Sequence, residues 1–251
     1  MRSLFEDILQ RKLDVSLEFR GARINELAKM DDDFLDLMCR AGGRVLMVGV
    51  ESGSDRILQK FQKGITRAQV IEVNRKLARF PQLVCMYNML YGAPGETYED
   101  LLETKNLILQ LMNENPSAYV GAGGDWKPIP GTQLVEIAKQ EFGFKEPSTI
   151  DEWIEIDTSD ATEKIRHPWY TDRQDNLIRV LQAGVFVIDR KFIKESAKNK
   201  TLVYRVIRTL ARIYRPFAMA RLNHDIYWLP IEYDLMRIAG RVVASLKKQA
   251  A

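Results

Sequence analysis

Thiols and imidazoles are scarce in this 251-residue chain, which holds two cysteines, Cys39 and Cys85, and two histidines, His167 and His224. Two cysteines this far apart cannot build a disulfide framework, and they read as small buried thiols. The histidines have no metal-ligand spacing. Long apolar runs are missing too. The longest, such as Val45 to Val50, fall far short of the roughly 20 residues that a membrane-spanning helix needs. The N-terminus MRSLFEDILQRKLDV carries acidic residues and no apolar stretch ending in small residues, which excludes a secretory signal and makes the cytoplasm the expected compartment. Neither GxxxxGKS/T nor GxGxxG follows a strand, so no phosphate loop or dinucleotide fingerprint is present. Excess charge is also lacking: 37 Lys and Arg against 34 Asp and Glu leave +3, which by itself implies no nucleic-acid partner. What remains is a globular chain, 46% hydrophobic and 28% charged, long enough for one large domain or two small ones.

From Asp14 to about Gly143, strand-like and helix-like segments alternate, the pattern of βα units and a parallel sheet. Strands are predicted over 14–20, 44–50, 83–91 and 118–126. The first is followed by a helix near 33–41, opened by an Asp cluster and closed by Gly42 and Gly43. After the second come a short helix past Ser54 and a longer one at Thr66, where TRAQ reads as a capping box. Thr97 is the expected N-cap of the third helix, and the fourth begins at Thr132. Beyond Gly143 an acidic stretch leads to helices near 172–189, 195–213 and 231–248, and no further strand is evident. The division is thus 1–143, an α/β unit, and 144–251, a linker with a helical appendage.

In parallel α/β folds ligands sit at the C-terminal ends of strands, where the βα loops gather. The stretch VGVESGSDRIL puts Glu51 there, beside Ser52. A carboxylate in that place caps the next helix, pairs with a neighbouring arginine, or accepts hydrogen bonds from a ligand's hydroxyl or ammonium groups. Other strands bring polar groups to the same rim: Arg20 and Arg23 after the first, Asn88 within the third with Tyr91 and Gly92 at its end, Asp125 and Lys127 around the fourth. GAPGET, 92–97, adds a glycine-proline-glycine turn into a capped helix, which alone is ordinary loop chemistry.

Taken in order, VGVESGS, KGIT, YGAPGET and PIPGT resemble the later barrel strands of radical S-adenosylmethionine enzymes. The resemblance covers roughly residues 14–143 and implies a partial (βα) barrel of about four parallel strands. It implies S-adenosylmethionine as cofactor, with Glu51 near its ribose and methionine part and Ser52 beside it, Asn88 on the same rim, and adenine against the backbone of Leu90, Tyr91 and Gly92. The helical tail with its Trp-containing linker is similar to that of the subgroup carrying an N-terminal cobalamin-binding domain, which would add cobalamin. In such enzymes the partner is an organic small molecule, attacked by hydrogen abstraction or methylated.

The family's 4Fe-4S cluster needs three cysteines in a CxxxCxxC loop, and this sequence has none. No metal ligands are therefore assigned, and the first two barrel strands have no candidates ahead of Asp14. The chain reads as the C-terminal portion of a longer enzyme, a split or truncated descendant partnered by a chain that carries the other half, or a non-catalytic module binding a nucleoside or a partner. The first strand would then expose a parallel edge, with the helix at 1–12 available to shield it. The basic, aromatic-rich tail, with Arg208, Arg212, Arg215, Arg221, Arg237, Arg241, Lys247 and Lys248, is either a solvated face or a membrane-surface contact.

Overall fold

The computed structural model describes residues 1–121, 123–158, 167–188 and 202–235. Its centre is a parallel sheet in sequence order, β1 (Leu17–Ala22), β2 (Gly43–Glu51), β3 (Val84–Tyr91) and β4 (Ala118–Val120). α1 (Arg2–Gln10) precedes them, and between them run α2 (Ile24–Lys29), α3 (Asp32–Arg40), α4 (Asp55–Lys60), α5 (Arg67–Leu77) and α6 (Tyr98–Glu114). The four strands run parallel in sequence order with helices between them, an incomplete (βα) barrel, as expected. Asp31 accepts from the Phe34 amide at 2.7 Å, Thr66 and Gln69 form the capping box read from TRAQ, and Thr97 caps α6 reciprocally with Asp100.

The fourth strand departs from expectation. Rather than one strand over 118–126, β4 stops at Val120 and a two-residue β5 (Gly124–Asp125) pairs separately with the end of β3. The cause is Gly123: its φ of 75° belongs to no strand, and a Cβ there would lie 2.3 Å from the Tyr91 ring. α2 and a later helix, α8 (Ile150–Thr158), fall in stretches without strong periodicity and were not anticipated.

Strand alternation separates two faces. Leu46, Val48 and Val50 of β2 and Cys85, Tyr87, Met89 and Tyr91 of β3 are buried under the helices. Met47, Gly49 and Glu51, with Met86, Asn88 and Leu90, lie on the other, half-exposed face. α1 uses its apolar side on the helix layer, with Phe5 against Phe19 of β1 and Phe34 of α3.

After α7 (Gln133–Phe142), closed by Gly143 in the left-handed conformation, the chain returns through Tyr170 to α9 (Asp172–Ile188) and α10 (Leu202–Asn223). α9 matches the expected 172–189. α10 ends later than the expected 195–213, and 195–201 lies outside the described residues. A last helix starts at 231 as expected; 236–251 lies outside the described residues. One core runs through both parts of the chain, with Leu101 and Ile108 of α6 in the same cluster as Leu177, Leu181 and Val185 of α9 and Leu222 of α10. Each such side chain contributes about 1.5–3 kcal/mol of burial.

Candidate cofactor-binding rim

β2 ends on Glu51, whose φ is 78°. That left-handed conformation costs a residue with a Cβ roughly 1–2 kcal/mol. The β2–β3 ladder slips between Gly49 and Glu51, the irregularity that re-aims a side chain at a strand end. The Glu51 carboxylate consequently lies over Gly49, 2.7 Å from where a Cβ would stand, and accepts from Lys63 Nζ at 3.1 Å. The Lys63 and Glu51 side chains are 29% and 24% exposed, and an ion pair open to water returns only about 0–1 kcal/mol. The pair does not repay the strain. Nor does Glu51 cap α4: Ser54 occupies that position, and among the described residues no α4 amide donates to Glu51.

The residues after Glu51 fasten the loop to α6. Ser52 is fully buried and its hydroxyl lies 3.1 Å from that of Thr104, so it faces the helix and not the open face. The Gly53 amide donates to Thr104 Oγ1 at 2.9 Å, and a Cβ on Gly53 would stand 2.6 Å from Thr104 Cα, so only glycine lets loop and helix meet. Ser54 donates to Asp100 at 2.6 Å and Arg56 grips the same carboxylate. Burial pushes the Asp100 carboxyl up, but its bonds from Arg56, Ser54 and Thr97 outweigh this and hold it at about 2. Arg56 also donates to the Gly95 carbonyl and Lys60 to that of Pro94, tying α4 to the GAPGET turn. In ESGSDR one carboxylate is left for the open face while its neighbours anchor it.

On β3, Asn88 sits beside Gly49 of β2, and among the described residues its amide has no hydrogen-bond partner. Leu90 packs beside Trp126. Tyr91 points the other way. It is fully buried under the helices, its hydroxyl is without a hydrogen bond among the described residues, and burial together with Glu96 and Asp125 raises its pKa. The backbone at this strand end is engaged within the chain: Leu90 and Tyr91 ladder with Gly124 and Asp125, and the Gly92 amide donates to Glu96 Oε2 at 2.7 Å. Glu51, Asn88 and Leu90 therefore share the open face, whereas Ser52, Tyr91 and the Gly92 amide serve packing behind it.

Glu96, which sequence reasoning left aside as a helix opener, is 2% exposed, and burial raises its carboxyl to about 8 against the opposing bonds from Gly92 and Tyr170. Tyr170 donates to it at 3.1 Å and Gln174 donates to its backbone carbonyl at 2.7 Å, so the tail grips the GAPGET turn. Lys63 was missed as well, although KGIT was noted. The signal was its place in the loop between two helices that face the rim.

Cys39 on α3 and Cys85 on β3 are buried thiols outside any disulfide, and burial raises the Cys39 thiol. The donor set does not fit an iron-sulfur cluster, which needs three exposed thiolates converging on one loop.

A parallel sheet joined by helices, with a carboxylate at a strand end, defines an α/β fold with a polar rim, and the comparisons say what it is similar to. Residues 2–108 match the family model described as Radical SAM superfamily. A tRNA-2-methylthio-N(6)-dimethylallyladenosine synthase of Sulfurihydrogenibium sp. is 26% identical over 182 residues, covering 70% of this chain and 38% of that protein. An uncharacterized methyltransferase of Pyrococcus horikoshii is 27% identical over 209 residues, covering 82% of this chain and 42% of that protein. The structure of the cobalamin-dependent S-adenosylmethionine radical enzyme OxsB, with aqua-cobalamin and S-adenosylmethionine bound, superposes with TM-score 0.52 at 14% identity, covering 97% of this chain and 40% of that one. The fold is thus the radical SAM (βα) type, and the chain spans about two fifths of the length of these relatives.

Proposed function

We propose that this chain is the cofactor- and substrate-binding C-terminal portion of a radical S-adenosylmethionine enzyme that abstracts hydrogen from, or methylates, an organic small molecule. The observation that carries it is Glu51, held in a strained backbone so that its carboxylate stands on the open face with only a weak partner. S-adenosylmethionine presents ribose hydroxyls and an ammonium group, which Glu51 can accept from, and the Asn88 amide and the Leu90 side chain offer polar and apolar contacts on the same face. Leu90 and Tyr91 already ladder with β5, so adenine would meet side chains at that strand end more than free backbone. Given one electron from a reduced iron-sulfur cluster held outside this chain, the bound cofactor would supply a 5′-deoxyadenosyl radical and release methionine; this chain's residues would bind and orient it. Cluster ligands, and cobalamin if the OxsB resemblance extends to it, would come from sequence outside this chain, and the free edge of β1 is where further strands would pair.

The test is calorimetric titration of S-adenosylmethionine into this chain combined with the missing half, as wild type and as Glu51→Gln. Loss of charge at constant shape should weaken binding by about 1.5–3 kcal/mol, on the order of ten- to a hundredfold, with the fold unchanged. Unchanged affinity ends the assignment. The two-cysteine sequence favours a second reading, a nucleoside- or partner-binding module without catalysis, in which Glu51→Gln weakens ligand binding while the reconstituted complex cleaves no cofactor.

A further inference from the structure

Large apolar side chains are exposed unevenly over the molecule. Of fourteen exposed among the described residues, eight lie within 202–235. Leu210, Ile213 and Phe217, spaced i, i+3 and i+7, form one stripe along α10 at 60%, 71% and 57% exposure, while Ala211, Ala218 and Leu222 turn another side of the helix into the core. Trp228, in the turn just beyond, is 76% exposed. No helix among the described residues is long and apolar enough to cross a membrane.

Charge singles out the same region. α10 has no acidic residue, and Arg205 and Arg212 stand exposed on the flank next to the stripe. From 202 to 251 the sequence has nine Lys and Arg against three Asp and Glu, although the whole chain nets only +3. Two of those acids are already engaged, Asp225 with Lys105 at 2.7 Å and Glu232 with Arg221 at 2.6 Å. We infer that this face seats on a membrane surface rich in anionic lipid, with Leu210, Ile213, Phe217 and Trp228 at the boundary between headgroups and acyl chains and the arginines at phosphate level. A second copy fits less well, because two such faces would press like charge on like. RNA would stack bases on aromatic rings and leave an aliphatic stripe unused.

The experiment is co-sedimentation of the full chain with vesicles of phosphatidylcholine alone and of equal parts phosphatidylcholine and phosphatidylglycerol, with and without about 0.5 M salt, where charges are screened within a few Å. The protein should pellet with the mixed vesicles at least about tenfold better than with the neutral ones, lose most of that in salt, and show a blue-shifted Trp emission. Ile213→Asp with Phe217→Asp should reduce pelleting about tenfold, as should Arg205→Glu with Arg212→Glu. Thermal melts check folding, and Trp228→Ser, in an exposed turn, gives a variant that removes no core contact and should lower binding severalfold. Absence of pelleting with mixed vesicles, equal pelleting with both, RNA binding abolished by the same variants, or a dimer dissolved by Phe217→Asp would each overturn the inference.

Discussion

Replacing Glu51 by glycine should leave the fold as stable as before or slightly more so, while replacing it by alanine should weaken it. At φ 78° a residue with a Cβ carries about 1–2 kcal/mol of strain, which glycine releases. Against that, glycine costs about 0.5–1 kcal/mol in unfolded-chain entropy, and the half-exposed pair with Lys63 forfeits about 0.5 kcal/mol. The net for Glu51→Gly runs from slightly negative to about +1 kcal/mol, whereas Glu51→Ala keeps the strain and loses the pair. The glycine variant should exceed the alanine variant by about 1 kcal/mol, or roughly 2–4 °C in melting temperature for a chain of this size. Calorimetric melts with urea midpoints as a check resolve that difference. Equal stability of the two variants would refute the strain, and a glycine variant weakened by more than about 2 kcal/mol would show that the carboxylate holds the fold. A residue that costs stability where it stands is the observation on which the cofactor-binding role proposed for Glu51 rests.

Glu96 sets a pH dependence. The native state keeps its carboxyl protonated up to about 8 while the unfolded chain releases the proton near 4.5, so its contribution to stability is complete below about 4.5 and is lost as pH rises to about 8. The loss approaches 1.4 kcal/mol per pH unit, and urea midpoints at several pH values should show it flattened in Glu96→Gln; equal slopes in both proteins contradict the burial described. Gly53→Ala should cost about 1–3 kcal/mol by forcing the loop off α6, read as a lowered urea midpoint, because its Cβ meets Thr104 backbone at 2.6 Å. Lys105→Met leaves the Leu222 carbonyl unsatisfied and should cost about 1–3 kcal/mol, with hydrogen exchange rising in α10 before α6. Anaerobic reconstitution of this chain with iron and sulfide should leave no stable cluster, and stoichiometric iron with cluster absorbance would show that Cys39 and Cys85 reorganise to bind one.

The strands and most helix starts were legible because each apolar run is bounded by a cap or a glycine whose chemistry is local: Asp31, Thr66, Thr97 and Gly143 act through neighbours within a turn. The break between β4 and β5 was not legible, since Gly123 is excluded from a strand by the Tyr91 ring across the sheet, 32 positions earlier. At the rim, position along the chain located Glu51, Asn88 and Leu90 but did not separate them from Ser52 and Tyr91. Strand parity does so: Asn88 and Leu90 are two apart and share a face, and Tyr91 falls on the other. Lys63 and Asp100 escaped because each acts on the loop after β2 from elements 12 and 46 positions beyond their partners, Glu51 and Ser54.

The grip of the tail on Glu96 has a consequence in time. Ribosomes deliver residues in order, at roughly 5–20 per second. Tyr170, which donates to the Glu96 carboxyl, is made 74 residues after it, and Asp225, which holds Lys105, 120 residues after that lysine. Until those segments emerge, the Glu96 carboxyl has only the local Gly92 amide and the Lys105 ammonium only water as partners. The tail's grip on the turn beside β3 therefore waits until residues 170 to 174 have been made, and the Lys105 pair until residue 225, so a chain cut at residue 143 would lack both.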